Sequence, residues 1–162
     1  MCTNTKKINN YNLIKMSSDI TTLVKLTTVH LYLDKTKNII YFDVINSNYS
    51  KNDSIMVLQY FKTFWLLAQE EKTKYYLIIK INSIGVYPLN FYTNLIKCLD
   101  ELTDIFKSHL HSCAFICNSS SPLIILKPLF NLYKFVRPYK LCNTYEEALI
   151  YFNHGKNQIS VS

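Results

Sequence analysis

Four residues of metal-ligand type fall between positions 109 and 117: His109, His111, Cys113 and Cys117. On a strand, Cys113 and Cys117 share a face but sit about 13 Å apart, at roughly 3.3 Å per residue. That is too far for one zinc, and too far for a disulfide between them. His109 and His111 could share a metal only with residues from elsewhere. The expectation is a buried strand filled by small cysteines, with the histidines at its exposed start and no metal bound.

A second group is basic. From Ile105 to Tyr145 there is no acidic residue, while Lys107, Lys127, Lys134, Arg137 and Lys140 fall in that stretch. Lys127 and Lys134, seven apart with Asn131 between, could line one helix face. Tyr133, Phe135 and Tyr139 interleave with them. Charge with interleaved aromatics is the chemistry of single-stranded nucleic-acid binding. A solvated Lys stripe over core aromatics is the plainer expectation. The basic-patch candidates are Lys127, Lys134, Arg137 and Lys140. The third group is Ser83, Tyr87 and Asn90, expected at the carboxyl end of a parallel strand, where open α/β sheets bind ligands. Turn chemistry would account for the same residues, so they stand as partner-binding candidates only.

Nothing supports catalysis. Two glycines, Gly85 and Gly155, cannot build a phosphate loop of the GxGxxG or GxxxxGK kind. HExxH and G-x-S-x-G are absent from the sequence. Asp100, Glu101 and Asp104 fall on the polar side of an amphipathic pattern and read as a solvated face. Neither an enzyme nor a cofactor is expected.

The chain has 162 residues, 49% of them apolar, enough for the core of one domain. Its net charge is +7, which can signal nucleic acid or an anionic surface. Lysine supplies nearly all of it, and Arg137 is the sole arginine. That bias, with abundant Asn, Ile and Tyr, reads as an AT-rich genome such as that of a large DNA virus or a protist. It also weakens a nucleic-acid reading, because arginine makes the bidentate contacts that lysine cannot. Five scattered cysteines are not a disulfide framework. No apolar run reaches the roughly 18 residues of a membrane span, and residues 1–20 hold no secretory signal. A soluble, cytoplasmic protein (or a virion component) is therefore expected.

The elements that would position these groups alternate. Residues 1–20 read as a polar tail. Leu23 to Leu33 and Ile39 to Ile45 read as a hairpin around Asp34–Asn38. Asp53 suits an N-cap for a helix to about Glu71, with Val57, Tyr60, Phe61, Phe64, Trp65 and Ala68 as its buried face. Tyr75 to Ile81 reads as a central strand. Pro88 opens a helix carrying Phe91, Leu95, Cys98, Leu99, Leu102, Ile105 and Phe106 on one stripe. His111 to Cys117 is the next strand. Ser121-Pro122 opens a helix toward Val136, which Pro128 should kink or split. Tyr139 to Cys142 is a short strand. Thr144-Tyr-Glu-Glu147 fits a capping box for a last helix, expected to stop at Gly155, with residues 156–162 as a tail. The order β-β-α-β-α-β-α-β-α predicts an α/β domain over 21–155 with a mixed, mainly parallel sheet.

This order, with Tyr75-Tyr-Leu-Ile-Ile-Lys-Ile-Asn-Ser-Ile-Gly-Val-Tyr87 and Tyr139-Lys-Leu-Cys-Asn-Thr-Tyr-Glu-Glu-Ala-Leu-Ile-Tyr-Phe152, resembles the STAS domain of anti-sigma-factor antagonists and sulfate-transporter tails, and the related SpoIIAA-like proteins. The resemblance covers roughly residues 25–154. It implies a STAS-like fold that works by binding another protein or a second copy of itself. Signalling members carry an Asp-Ser-Ser-Gly-like segment phosphorylated on Ser at a helix start. Here the stretch is Tyr87-Pro-Leu-Asn90: Ser83 comes too early, and Thr93 lies inside the helix. The first expectation is a non-catalytic protein-interaction module, and the alternative is a basic nucleic-acid-associated protein of the kind a large DNA virus packages.

Overall fold

The structure is a computed structural model that describes residues 15–16, 20–45, 50–82, 89–117 and 121–159. Its sheet forms in chain order, strand beside strand. The first four strands are β1 (Lys15–Met16), β2 (Ile20–Lys25), β3 (Val29–Asp34) and β4 (Ile39–Val44), and they pair antiparallel. The next three are β5 (Tyr75–Ile81), β6 (Leu110–Cys117) and β7 (Tyr139–Cys142), and they continue from β4 in parallel. The α/β expectation holds, but the sheet is parallel only from β4 to β7, not for most of its width.

The early strands differ most from expectation. The run Leu23–Leu33 is two strands rather than one, because Leu26 N–H donates to Val29 O at 2.8 Å and closes a tight turn. The β-branched run Thr27-Thr28-Val29 reads as continuous strand and hides that turn. Lys15–Met16, inside the stretch read as tail, pairs with β2. The β3–β4 turn is as expected. Asp34 Oδ1 accepts from Thr36 N–H at 3.1 Å, Thr36 Oγ at 2.7 Å and Lys37 N–H at 3.1 Å. Asn38 then takes φ 53°, a left-handed value that asparagine tolerates.

The crossover helices are α1 (Lys51–Glu70), α2 (Leu89–Glu101), α3 (Thr103–His109) and α4 (Ser121–Leu132). Right-handed crossovers that step one way along a sheet leave every helix on one face. Accordingly Phe61 and Trp65 of α1, Leu99 of α2, Phe106 of α3 and Leu129 of α4 share one core with Leu77 and Phe115 of the sheet. The last helix, α5 (Tyr145–Ile159), follows β7 and packs on the opposite face, where Ala148 and Phe152 meet Ile78, Ala114 and Ile116.

Helix ends carry the corrections. Ser50, not Asp53, caps α1: its hydroxyl accepts from Asp53 N–H at 3.0 Å, and the Asp53 carboxylate returns to Ser50 N–H. One amphipathic stripe is divided between α2 and α3, with Leu102 in the break at φ −91°, ψ 0°. Position 128 does not divide α4, which ends at Leu132 rather than near Val136. Thr144 does cap α5, accepting from Glu147 N–H at 3.2 Å, while the Glu147 carboxylate accepts from Asn143 N–H at 2.8 Å. Finally α5 runs through Gly155, which has no positive φ, into the stretch read as a tail.

Candidate functional site

Ser83 and Tyr87 lie outside the described residues. Asn90 falls in the first turn of α2, but its side chain is outside them too. The basic group is brought together in part. Lys127, Lys134 and Lys140 are exposed. Lys134 follows the end of α4, so it does not share a helix face with Lys127. Arg137 is different. It is half-buried, and its Nε donates to Phe106 O at 3.3 Å. Among the described residues no carboxylate lies within ion-pair distance of it.

The interleaved aromatics are mostly interior. Tyr133 is buried and its hydroxyl donates to Leu99 O at 3.4 Å. Phe135 packs edge-on against Tyr133, with centroids 4.9 Å apart. Tyr139 stacks on Phe130 at 5.1 Å. Of the three, Tyr139 alone is exposed, and a platform for successive bases needs several open ring faces.

What remains at this end of the sheet is an open strand. Among the described residues β7 pairs only with β6. Cys113 N–H donates to Pro138 O at 3.0 Å. In a parallel ladder that alternation aims the main chain of Lys140 at β6 and the main-chain groups of Tyr139 and Leu141 outward. Tyr139 and Leu141 are each 43% exposed, and Leu132 nearby in the chain is 64% exposed. An open edge with large apolar side chains is a template for another strand. Burial on both faces marks β4 to β6 as interior strands, whereas only Cys142 of β7 is buried.

Between the sheet and its helices lies an apolar cavity of about 100 Å³. Ile79 and Phe115 of the sheet, Leu95 and Leu99 of α2, and Leu129 of α4 are among its walls, and Arg137 also lines it. Its wall hydroxyl on Tyr133 is already bonded to Leu99 O. Burial pushes the Cys113 thiol far up, so it stays neutral. A buried water needs two to four polar partners, so this space favours carbon over water. Left empty, it would cost about 2 kcal/mol at roughly 24 cal/mol per Å³.

On the other face, Asp43, Lys80, Ile116 and Cys142 stand side by side across β4 to β7. Tyr32 donates to Asp43 at 3.2 Å, and Tyr145 donates to both of its oxygens. The Lys80 ammonium lies 4.8 Å from the Tyr145 ring centroid. Burial pushes the Asp43 carboxyl up against the pull of Tyr145 and Tyr32, and pushes Tyr32 up to about 12. Lys80, Ile116, Asn143, Thr144, Tyr145 and Glu146 line a small hollow here. Glu146 and Glu147 in the first turn of α5 complement the helix dipole themselves, which disfavours an added anion. This cluster reads as a strut between β4 and α5. Sequence reading missed it. A lone acid in Ile39-Ile-Tyr-Phe-Asp-Val44 and a lone lysine in Tyr75-Tyr-Leu-Ile-Ile-Lys-Ile81 were the available signals.

The metal-type residues separate. His109 Nδ1 lies 3.1 Å from Thr73 O, so the ring nitrogen carries the proton and donates. His111 stacks on Tyr76 at 4.7 Å. Cys98, Cys113, Cys117 and Cys142 are free and buried. Among the described residues no group of three or more His, Cys, Asp or Glu could hold a metal ion, and no helix is long and apolar enough to cross a membrane. Comparison with family models, curated proteins and solved structures finds no match to this chain.

Proposed function

We propose that the chain is a non-catalytic protein-interaction module of STAS-like build, which takes an acidic, extended segment of another protein as an added strand along β7. The observation that carries this reading is the open β7 edge, with Tyr139 and Leu141 exposed on it. Strand addition draws affinity from main-chain hydrogen bonds and specificity from alternate side chains. Charge selects the partner. Lys127, Lys134 and Lys140 are exposed in a stretch that holds no carboxylate from Ile105 to Tyr145. Two copies meeting β7 to β7 would set lysines against lysines, which disfavours self-pairing there. STAS-like build rests on the element order, with strands β4 to β7 joined through helices and α5 closing the far face.

The nucleic-acid reading keeps the same lysines and the exposed Tyr139, but loses two of its three stacking rings, since Tyr133 and Phe135 pack inside. The test is fluorescence anisotropy with a short labelled peptide alternating glutamate and valine, beside labelled single-stranded and duplex DNA, over a salt series. The proposal expects peptide binding that Leu141→Pro abolishes, because proline removes an outward N–H without touching the β6 ladder. DNA binding that rises steeply at low salt, with none for the peptide, would replace it by the nucleic-acid reading.

A further inference from the structure

The cavity and the half-buried Arg137 are independent of the β7 edge, and together they describe a ligand. The Arg137 side chain is half-buried, and a guanidinium is the cation whose fork of donors best matches a carboxylate. Arg137 spends one donor, Nε, on Phe106 O, and no carboxylate among the described residues balances its charge. The same side chain lines a cavity of about 100 Å³ whose other walls are nearly all carbon. An apolar cavity of roughly 150 Å³ holds a benzene ring. At about 100 Å³, two thirds of that volume, the space here suits a short alkyl group of roughly three carbons.

We infer that this cavity is a binding site for a small hydrocarbon acid, with its short alkyl group lodged among Ile79, Leu99, Phe115 and Leu129 and its carboxylate against Arg137. The two halves of the site do different work. Carbon walls take the alkyl group without a hydrogen-bond demand, since the Tyr133 hydroxyl is committed to Leu99 O. The guanidinium keeps four further donors, arranged in a fork that matches a carboxylate. The sheet side of the site comes from alternate positions of β5 and β6, and the helix side from α2 and α4, so its shape depends on the packed fold.

The test uses butanoate, butanol and acetate as probes. Side-chain methyl NMR follows Ile79, Leu99 and Leu129 while thermal unfolding follows stability. Butanoate is expected to shift those methyls and raise the unfolding temperature. Acetate, with no alkyl body, should do neither. Arg137→Gln should weaken butanoate by roughly tenfold or more, the worth of a hydrogen bond to a charged group. The same variant should leave butanol binding unchanged, which also shows that it folds. A cavity-filling Leu129→Phe should abolish the response to both. If the cavity methyls do not respond to butanoate, or if Arg137→Gln binds butanoate as tightly as the unsubstituted protein does, the inference is overturned.

Discussion

Tyr145 and Asp43 stand 102 residues apart in the chain, yet the Tyr145 phenol donates to both Asp43 oxygens, at 3.0 and 3.1 Å. This bond fastens the start of α5 to β4 across two intervening strands. With Tyr32 as a second donor, it satisfies a carboxylate that would otherwise be poorly placed in a half-buried row.

Removing that hydroxyl tests the strut. Tyr145→Phe keeps the ring against Tyr41 and Lys80 but leaves Asp43 one donor short. We expect a loss of about 1–2 kcal/mol in urea unfolding. Amide exchange should quicken in the first turn of α5 before it changes in β5. An unchanged midpoint would show that Tyr145 contributes only packing.

Two aspartates should give opposite pH dependences. Burial raises the Asp43 carboxyl above its ordinary 3.8, and the Tyr145 and Tyr32 hydrogen bonds do not cancel this. Its stabilising contribution is therefore full below 3.8 and is lost as pH rises through the raised folded value. Burial also pushes Asp34 up, but the Thr36 and Lys37 donors outweigh it and its pKa falls below 3.8. Asp34 thus stabilises above 3.8, and that contribution is lost as pH falls through the lowered folded value. Denaturant midpoints measured from pH 3 to 7 should lose the acid-side weakening in Asp34→Asn and the weakening on rising pH in Asp43→Asn. The same profile in both variants would contradict the assignment.

At the start of α1 the capping roles separate by substitution. Ser50→Ala removes the cap acceptor and should cost about 1 kcal/mol. Asp53→Ala removes only the longer return bond, at 3.4 Å, and should cost less. The reverse order, read from denaturant midpoints, would restore Asp53 as the cap.

Gly155 offers a gain. It lies inside α5, and a methyl group built there meets nothing within 4 Å. Gly155→Ala should stabilise the protein by roughly 0.5–1 kcal/mol through helix propensity. Destabilisation of that size would mean that the helix ends at Gly155 in a left-handed conformation.

These sites also show what the sequence could reveal. The buried stripe of α1, from Val57 to Ala68, and the polar face of α2 and α3 followed directly from spacing, because burial on one face has a helical period. Strands β5 and β6 followed from apolar runs. The turn at Leu26–Thr28 did not, since it is closed by backbone bonds between residues of strand-forming type. Gly155 misled because glycine ends helices more often than it crosses them. Arg137 looked like one of four surface cations, and only the packing of α4 and β7 turns it toward Phe106. Asp43, Lys80 and Tyr145 come together through strand register, which a single sequence does not display.

The account's central claim is that the outward main chain of β7 receives a strand. Amide hydrogen exchange at Tyr139 and Leu141, measured by NMR with and without the glutamate–valine peptide, tests it most directly. The account predicts fast exchange at both amides in the free protein and strong protection in the complex, with the inward Lys140 and Cys142 amides protected throughout. Tyr139 and Leu141 amides that stay unprotected while the peptide is bound would place the partner elsewhere and contradict the claim.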